Sequence, residues 1–206
     1  MRTAAALATL LFAAPASAEP TPAAQLPPGS AARWFPVPAS ALFQTGDSWT
    51  DRGRSYRLYG VQSCLRGTSF TNALGVKRDC GEASLAMLVA LTRDLRPQCY
   101  AAAELPASNT MLVFCIAQPS AGHGAGSRID LGTALIASGF AFAALAPDGS
   151  PIHAPYVVAQ QVARNSRAGL WAFPDTPDPN AIILRAVKSG PPAPPVNSAQ
   201  AEPRRP

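Results

Sequence analysis

Residues 55–64, SYRLYGVQSC, decide the fold that this sequence predicts. Apolar and polar residues alternate at their start, with Tyr56 and Leu58 on either side of Arg57, which is typical of a strand with one face in a core. The turn residues Asp51-Arg52-Gly53 directly before them favour a hairpin. We therefore expect the second and third strands of a small β-barrel here. On this pattern alone, Arg57 is a strand residue facing water.

The N-terminus has the features of a secretory signal peptide over residues 1–18. Arg2 is the basic n-region, residues 4–14 are an apolar segment too short to span a membrane, and Ala16-Ser17-Ala18 is a cleavage site. We expect a mature chain that begins at Glu19, has no transmembrane segment and is periplasmic or secreted. Arginine greatly outnumbers lysine, which is typical of a GC-rich bacterial genome.

Composition divides the remaining chain into one domain with two tails. Residues 19–40 are a leader rich in proline and alanine, residues 41–172 form the domain, and residues 173–206 are a proline-rich tail with one short helix at 180–189. The formal net charge of +5 is a mild bias that is compatible with anionic partners and identifies none.

The four cysteines are even in number, which indicates disulfides in an exported chain. Three pairings are open, and we favour Cys64 with Cys80 and Cys99 with Cys115. The second pair would cross-link adjacent strands of a hairpin, and the first would close a loop of about sixteen residues. The residues within that loop have no clear period, so we expect a surface loop there.

Two alternative sites have weaker support. A zinc site would use the cysteines with His123 and His153, but no C-x-x-C spacing exists and neither histidine is placed as a ligand. The glycine-rich residues 117–128 lack the lysine of a phosphate-binding loop, so we interpret them as a connection.

Three helices are predicted in the domain. Residues 83–95 have a helical period, residues 131–138 follow the N-cap candidate Asp130 and end at Gly139, and a third helix runs from Tyr156 towards Gly169. The inward residues of the third helix would be Val157, Ala159, Val162 and Ala163. Two strands, near 98–100 and 111–116, would form the cysteine-bearing hairpin, and another would cover 140–145.

This order of elements, together with several local strings over residues 41–172, resembles the staphylococcal-nuclease-like (thermonuclease) family. TGDS at 45–48 is similar to the family's D-G-D-T, and RLYGV at 57–61 is similar to R-L-x-G-I. The other similar strings are CGEA at 80–83, DL at 130–131 with LIASGFA at 135–141, and the A-x-x-x-A-R and GLW strings that end at 164 and 171. The resemblance implies an α+β fold, a five-stranded OB barrel with three helices.

Enzymes of that family cleave phosphodiesters with a carboxylate-bound calcium ion, a glutamate that activates water and two arginines on the phosphate. Asp47 matches the metal-binding aspartate and Arg57 matches the first arginine. Gln62 stands in place of the second metal carboxylate, Leu65 in place of the glutamate, and Asn109 in place of the second arginine. The resemblance therefore implies a nuclease scaffold with degenerate machinery.

Two functions follow from this resemblance. The first is a non-catalytic OB module without a cofactor that binds nucleic acid, a polysaccharide or a protein of the envelope or a secretion apparatus. The alternative is a secreted nuclease for DNA or RNA with a rearranged calcium site, in which Asp79 or Glu82 supplies the missing carboxylate.

Overall fold

The hairpin predicted around residue 55 lies at the centre of a curled, seven-stranded sheet that forms half of a barrel. The computed structural model describes residues 34–117 and 128–190. The strands are β1 (Phe35–Pro36), β2 (Leu42–Thr45), β3 (Ser48–Asp51), β4 (Arg54–Leu58), β5 (Val61–Ser63), β6 (Ser69–Thr71), β7 (Lys77–Asp79), β8 (Gln98–Leu105), β9 (Thr110–Ala117), β10 (Ile129–Asp130) and β11 (Ala141–Ala143). The helices are α1 (Cys80–Leu95), α2 (Leu131–Ala137), α3 (Ala154–Asn165) and α4 (Pro179–Ser189).

The main sheet has the order β1-β8-β9-β4-β3-β2, with β10 added to β9. Strands β2, β3 and β4 form an antiparallel meander, and β4 then pairs in parallel with β9. Strands β1 and β2 are the two ends of this path. The expected α+β class is therefore present, as a half-barrel with four helices.

Two clusters of buried side chains form the core, and each contains one disulfide. The larger cluster includes Trp49 and the Cys99–Cys115 pair, which joins opposite residues of β8 and β9. The smaller cluster lies under the Cys64–Cys80 pair. The favoured pairing of the four cysteines is thus confirmed.

The residues between Cys64 and Cys80 contain a short hairpin, where the sequence predicted only a surface loop. Strands β6 and β7 are antiparallel, and Phe70 of β6 is buried in the smaller cluster. Each strand is three residues long, which is too short for an alternating pattern to be recognised.

Helix α3 shows a second difference, because Val157 and Val162 do not face inward as predicted. They are exposed, and the buried residues are Tyr156 and Ala163, two helical turns apart. Tyr156 reaches α2 at Gly132, where a Cβ atom would lie 2.3 Å from the tyrosine oxygen. Because Gly132 has no side chain, the Tyr156 ring fits against α2, and Tyr156 therefore lies on the buried face of α3.

The packed part of the chain extends on both sides of the predicted domain at 41–172. Phe35 of β1 pairs with Cys99 of β8, and the amide of Asn180 in α4 donates to the carbonyl of Ala143 at 3.0 Å. The predicted short helix at 180–189 is therefore α4, which packs against β11.

Within the two described ranges, no helix is long and apolar enough to cross a membrane. The predicted signal peptide, most of the leader, the glycine-rich residues 118–127 and the end of the tail lie outside those ranges.

Candidate functional site

A pocket of about 360 Å³ opens where the β2–β3 turn, β4 and β5 meet. Four of the five positions assigned from the nuclease resemblance line it, namely Asp47, Arg57, Gln62 and Leu65. The other lining residues are Thr45, Ser48, Ser63, Cys64, Arg66 and Ile183.

The turn between β2 and β3 holds Asp47 at the base of the pocket. The backbone N–H of Leu58 donates to the carbonyl of Asp47 at 2.9 Å, which ties the turn to β4. Gly46 lets this turn pack directly on α1, because a Cβ atom there would lie 2.4 Å from the Cβ of Ser84. The Ser84 hydroxyl in turn accepts from the backbone N–H of Cys64 at 3.2 Å and donates to the carbonyl of Phe140 at 2.6 Å.

The Arg57 guanidinium is held by two neighbouring side chains. Its Nε and Nη2 atoms both lie 2.9 Å from Oδ2 of Asp47, and Nη2 also donates to Oε1 of Gln62 at 2.9 Å. Gln62 is fixed in turn because its Nε2 donates to the carbonyl of Ser63 at 2.9 Å. The second oxygen of Asp47 accepts from the hydroxyl of Thr45. Both carboxylate oxygens are therefore bonded within the protein.

The two charges of this pair differ strongly in burial. The side chain of Asp47 is 3% exposed, whereas that of Arg57 is 43% exposed. Of the two, the guanidinium is therefore the group more accessible to a solute that enters the pocket. Arg66 adds a second, exposed positive charge to the pocket wall.

These residues do not fit the calcium ion that the resemblance implies. Calcium takes six to eight oxygen ligands, and among the described residues that line the pocket Asp47 is the one carboxylate. Across residues 34–117 and 128–190, no group of three or more His, Cys, Asp and Glu residues is placed to hold a metal ion.

Asp79 and Glu82, the proposed replacement carboxylates, do not line the pocket. Asp79 is the N-cap of α1, where its carboxylate accepts from the backbone N–H of Glu82 at 2.9 Å and of Gly67 at 2.7 Å. Burial opposes ionisation of this group, but these donors and the N–H of Gly81 hold its pKa below the usual range. Glu82 is exposed on the first turn of α1.

Leu65 and Asn109 have different positions relative to the pocket. Leu65 lines it with an apolar side chain, which cannot accept a proton. Asn109 is not among the lining residues, because its side chain donates to the carbonyl of Gly53 at 3.0 Å in the β3–β4 turn. The structure therefore brings four of the five motif positions together and places the fifth elsewhere.

Two lining residues were missed by the sequence analysis. Arg66 directly follows the degenerate motif, so its charge was a signal that could have been used. Ile183 comes from α4, more than a hundred residues away in the chain, and its place in the wall depends on how that helix docks. No local pattern carries that information.

A comparison with protein-family models gives no match for this chain. No curated protein is significantly similar to it either. The residues of the pocket are thus the basis for the function proposed below.

Proposed function

We propose that this protein is a non-catalytic binding module with a staphylococcal-nuclease-like, OB-type architecture, and that it acts outside the cytoplasm. One observation carries the proposal. The Asp47 carboxylate is buried and bonded on both oxygens by Arg57 and Thr45. It is therefore a structural partner of the arginine, with both oxygens engaged within the protein.

The arrangement of strands supports the resemblance on which the architecture depends. A curled antiparallel meander is followed by a helix and a hairpin whose second strand runs parallel to β4. The strings TGDS and RLYGV, with Gln62 and Leu65, all converge on one pocket, as the resemblance implies for the family's active site.

Catalysis would need groups that the pocket lacks. Hydrolysis of a phosphodiester needs a base for the attacking water and positive charge for the developing oxyanions. Leu65 cannot act as the base, and Asn109 is bound to the β3–β4 turn. Loss of each group costs orders of magnitude in rate, and groups that act together contribute non-additively.

The exposed part of the pocket favours an anionic partner. Arg57 is half exposed and Arg66 is exposed, so both can donate to carboxylates or phosphates. Single-stranded nucleic acid, an acidic polysaccharide and an acidic patch of an envelope protein share this chemistry.

The catalytic alternative is tested directly with purified residues 19–206. We expect no calcium-dependent cleavage of single-stranded DNA or RNA at millimolar calcium. Arg57→Ala is the control, because activity from a contaminating nuclease would be equal in both samples. Calcium-dependent digestion that disappears in Arg57→Ala would establish the secreted nuclease instead.

Binding is tested by capture from periplasmic extract with mass spectrometry, using the unaltered protein and Arg66→Ala. Arg66 is exposed, so this variant should fold normally. Arg78→Ala in β7 is the matched control, since Arg78 is exposed and does not line the pocket. A partner retained equally by all three proteins would contradict a role for the pocket.

A further inference from the structure

A second concave region lies at the open side of the half-barrel, away from the Asp47 pocket. It is lined by residues of the segment that joins the edge strands β1 and β2 and by residues of the C-terminal half of α1. A groove of about 640 Å³ lies between them, within the roughly 300–1,000 Å³ usual for one small molecule. Its walls are mainly apolar and include Val37, Phe43 and Val89.

A smaller pocket of about 320 Å³ continues this groove at one end. The two share Arg96 and Gln98, and the smaller one adds Trp34, Ile116 and Arg128. Trp34 packs against Tyr100 with ring centroids 4.7 Å apart and remains 47% exposed. We call the two together the seam groove.

The charge of the seam groove has one sign. Three arginines line it, Arg93, Arg96 and Arg128, and none of the lining residues in the described ranges is a carboxylate. Arg93 is paired with Asp94 at 2.8 Å. Among the residues that the structure describes, no acidic side chain lies within 4.0 Å of the guanidinium of Arg96 or Arg128. The polar end of the groove is therefore cationic.

The backbone at Arg96 is a separate, unusual feature. This residue follows α1 in the left-handed conformation with φ +47°, a position where glycine is the common choice. The backbone of a residue with a Cβ atom is strained there. Arg96 lines both cavities.

We propose that the seam groove binds a single-chain anionic amphiphile, with its apolar chain along Val37, Phe43 and Val89 and its carboxylate or phosphate head between Arg96 and Arg128. Burial of the ligand's hydrocarbon chain against this apolar wall would contribute favourable binding free energy. The guanidinium groups of Arg96 and Arg128, which have no acidic partner within the described ranges, would form charged hydrogen bonds with an anionic head group. This site is independent of the Asp47 pocket and of the resemblance.

The test uses isothermal titration of the purified protein with ligands below their micelle concentrations. Dodecanoate carries both features, dodecanol carries only the chain, and dodecyltrimethylammonium carries the opposite charge. We expect dodecanoate to bind at least about 10-fold more tightly than either, because only its head group accepts charged hydrogen bonds from the arginines.

Arg96→Gly removes the guanidinium without disturbing the fold, because glycine adopts a φ of +47° without strain. It should keep its stability and lose about 10-fold or more in dodecanoate affinity, with dodecanol binding unchanged. Arg52→Gly is the matched control: Arg52 has the same φ of +47°, is 90% exposed and does not line the groove. Val89→Gln should weaken binding of both the acid and the alcohol.

Several outcomes would overturn the proposal. They are equal binding of dodecanoate and dodecanol, unchanged dodecanoate affinity in Arg96→Gly, or an equal loss in Arg52→Gly. Binding to anionic phospholipid vesicles without binding of dodecanoate would indicate a membrane surface as the ligand. Displacement of dodecanoate by a short single-stranded oligonucleotide at lower concentration would indicate a nucleic acid.

Discussion

At the residue scale, Asp47 and Arg57 form an ion pair whose two members depend on each other unequally. Without Arg57, the buried Asp47 carboxylate keeps only the Thr45 hydroxyl as a side-chain donor. Without Asp47, the half-exposed guanidinium can still be hydrated. We predict that Arg57→Ala lowers the free energy of unfolding more than Asp47→Ala does, by about 1–2 kcal/mol, because an uncompensated buried charge is the larger cost.

Urea denaturation of both single variants and of the double variant measures this difference as a double-mutant cycle. Arg66→Ala, at an exposed position in the same pocket, is the control and should change stability by less than about 0.5 kcal/mol. Equal losses in the two single variants would show that the carboxylate is not buried in the folded protein.

The sequence predicted that Asp47 and Arg57 belong to one site, because both lie in short strings with a recognisable order. It did not predict that they bond to each other, which depends on the β3–β4 register that sets Ser48 opposite Arg57. The position of Asn109 was also unpredictable. Its left-handed backbone, with φ +48°, directs it to the β3–β4 turn.

At the scale of elements, α1 begins where Asp79 caps it, and this cap makes stability depend on pH. The carboxylate accepts from the N–H groups of Glu82 and Gly67, and its pKa is lowered. A lowered pKa in the folded state stabilises above the unfolded pKa, and this stabilisation is lost as the pH falls through the folded value. We predict that Asp79→Ala costs about 1 kcal/mol at pH 7 and that the cost shrinks below about pH 4.

The measurement is a series of urea denaturations between pH 7 and pH 2. Asp79→Asn is the matched variant, because the amide oxygen can still cap the helix but does not titrate. Its stability relative to Asp79→Ala should not change with pH. A constant difference between the unaltered protein and Asp79→Ala down to pH 2 would contradict the prediction.

Longer elements were predictable from sequence and shorter ones were not. Helix α1 follows a clear helical period, and Asp130 caps α2 as expected. The hairpin β8–β9 was predicted with strands near 98–100 and 111–116, and β8 continues to Leu105. Strands β6 and β7 were not predicted, because three residues are too few to show an alternation of apolar and polar side chains. The docking of α4 depends on one hydrogen bond from Asn180 and on packing from distant parts of the chain.

At the scale of the whole molecule, the two disulfides staple the two core clusters, and each joins cysteines sixteen residues apart. Their native surroundings differ, since Cys99 and Cys115 lie on strands that are already paired from Gln98 to Leu105. A disulfide that acts mainly by lowering the entropy of the unfolded chain stabilises the protein by an amount set by the length of the loop it closes. The strand pairing around Cys99 and Cys115 in the folded state then does not change its contribution.

We therefore predict that the double variants Cys64→Ala/Cys80→Ala and Cys99→Ala/Cys115→Ala each lose roughly 3 kcal/mol of unfolding free energy, despite their different environments. The two closed loops do not overlap in sequence, so the losses should add in the fourfold variant. Urea denaturation without reductant measures all three. A much smaller loss for the β8–β9 pair would mean that the ladder replaces the bond, which the chain-entropy account does not allow.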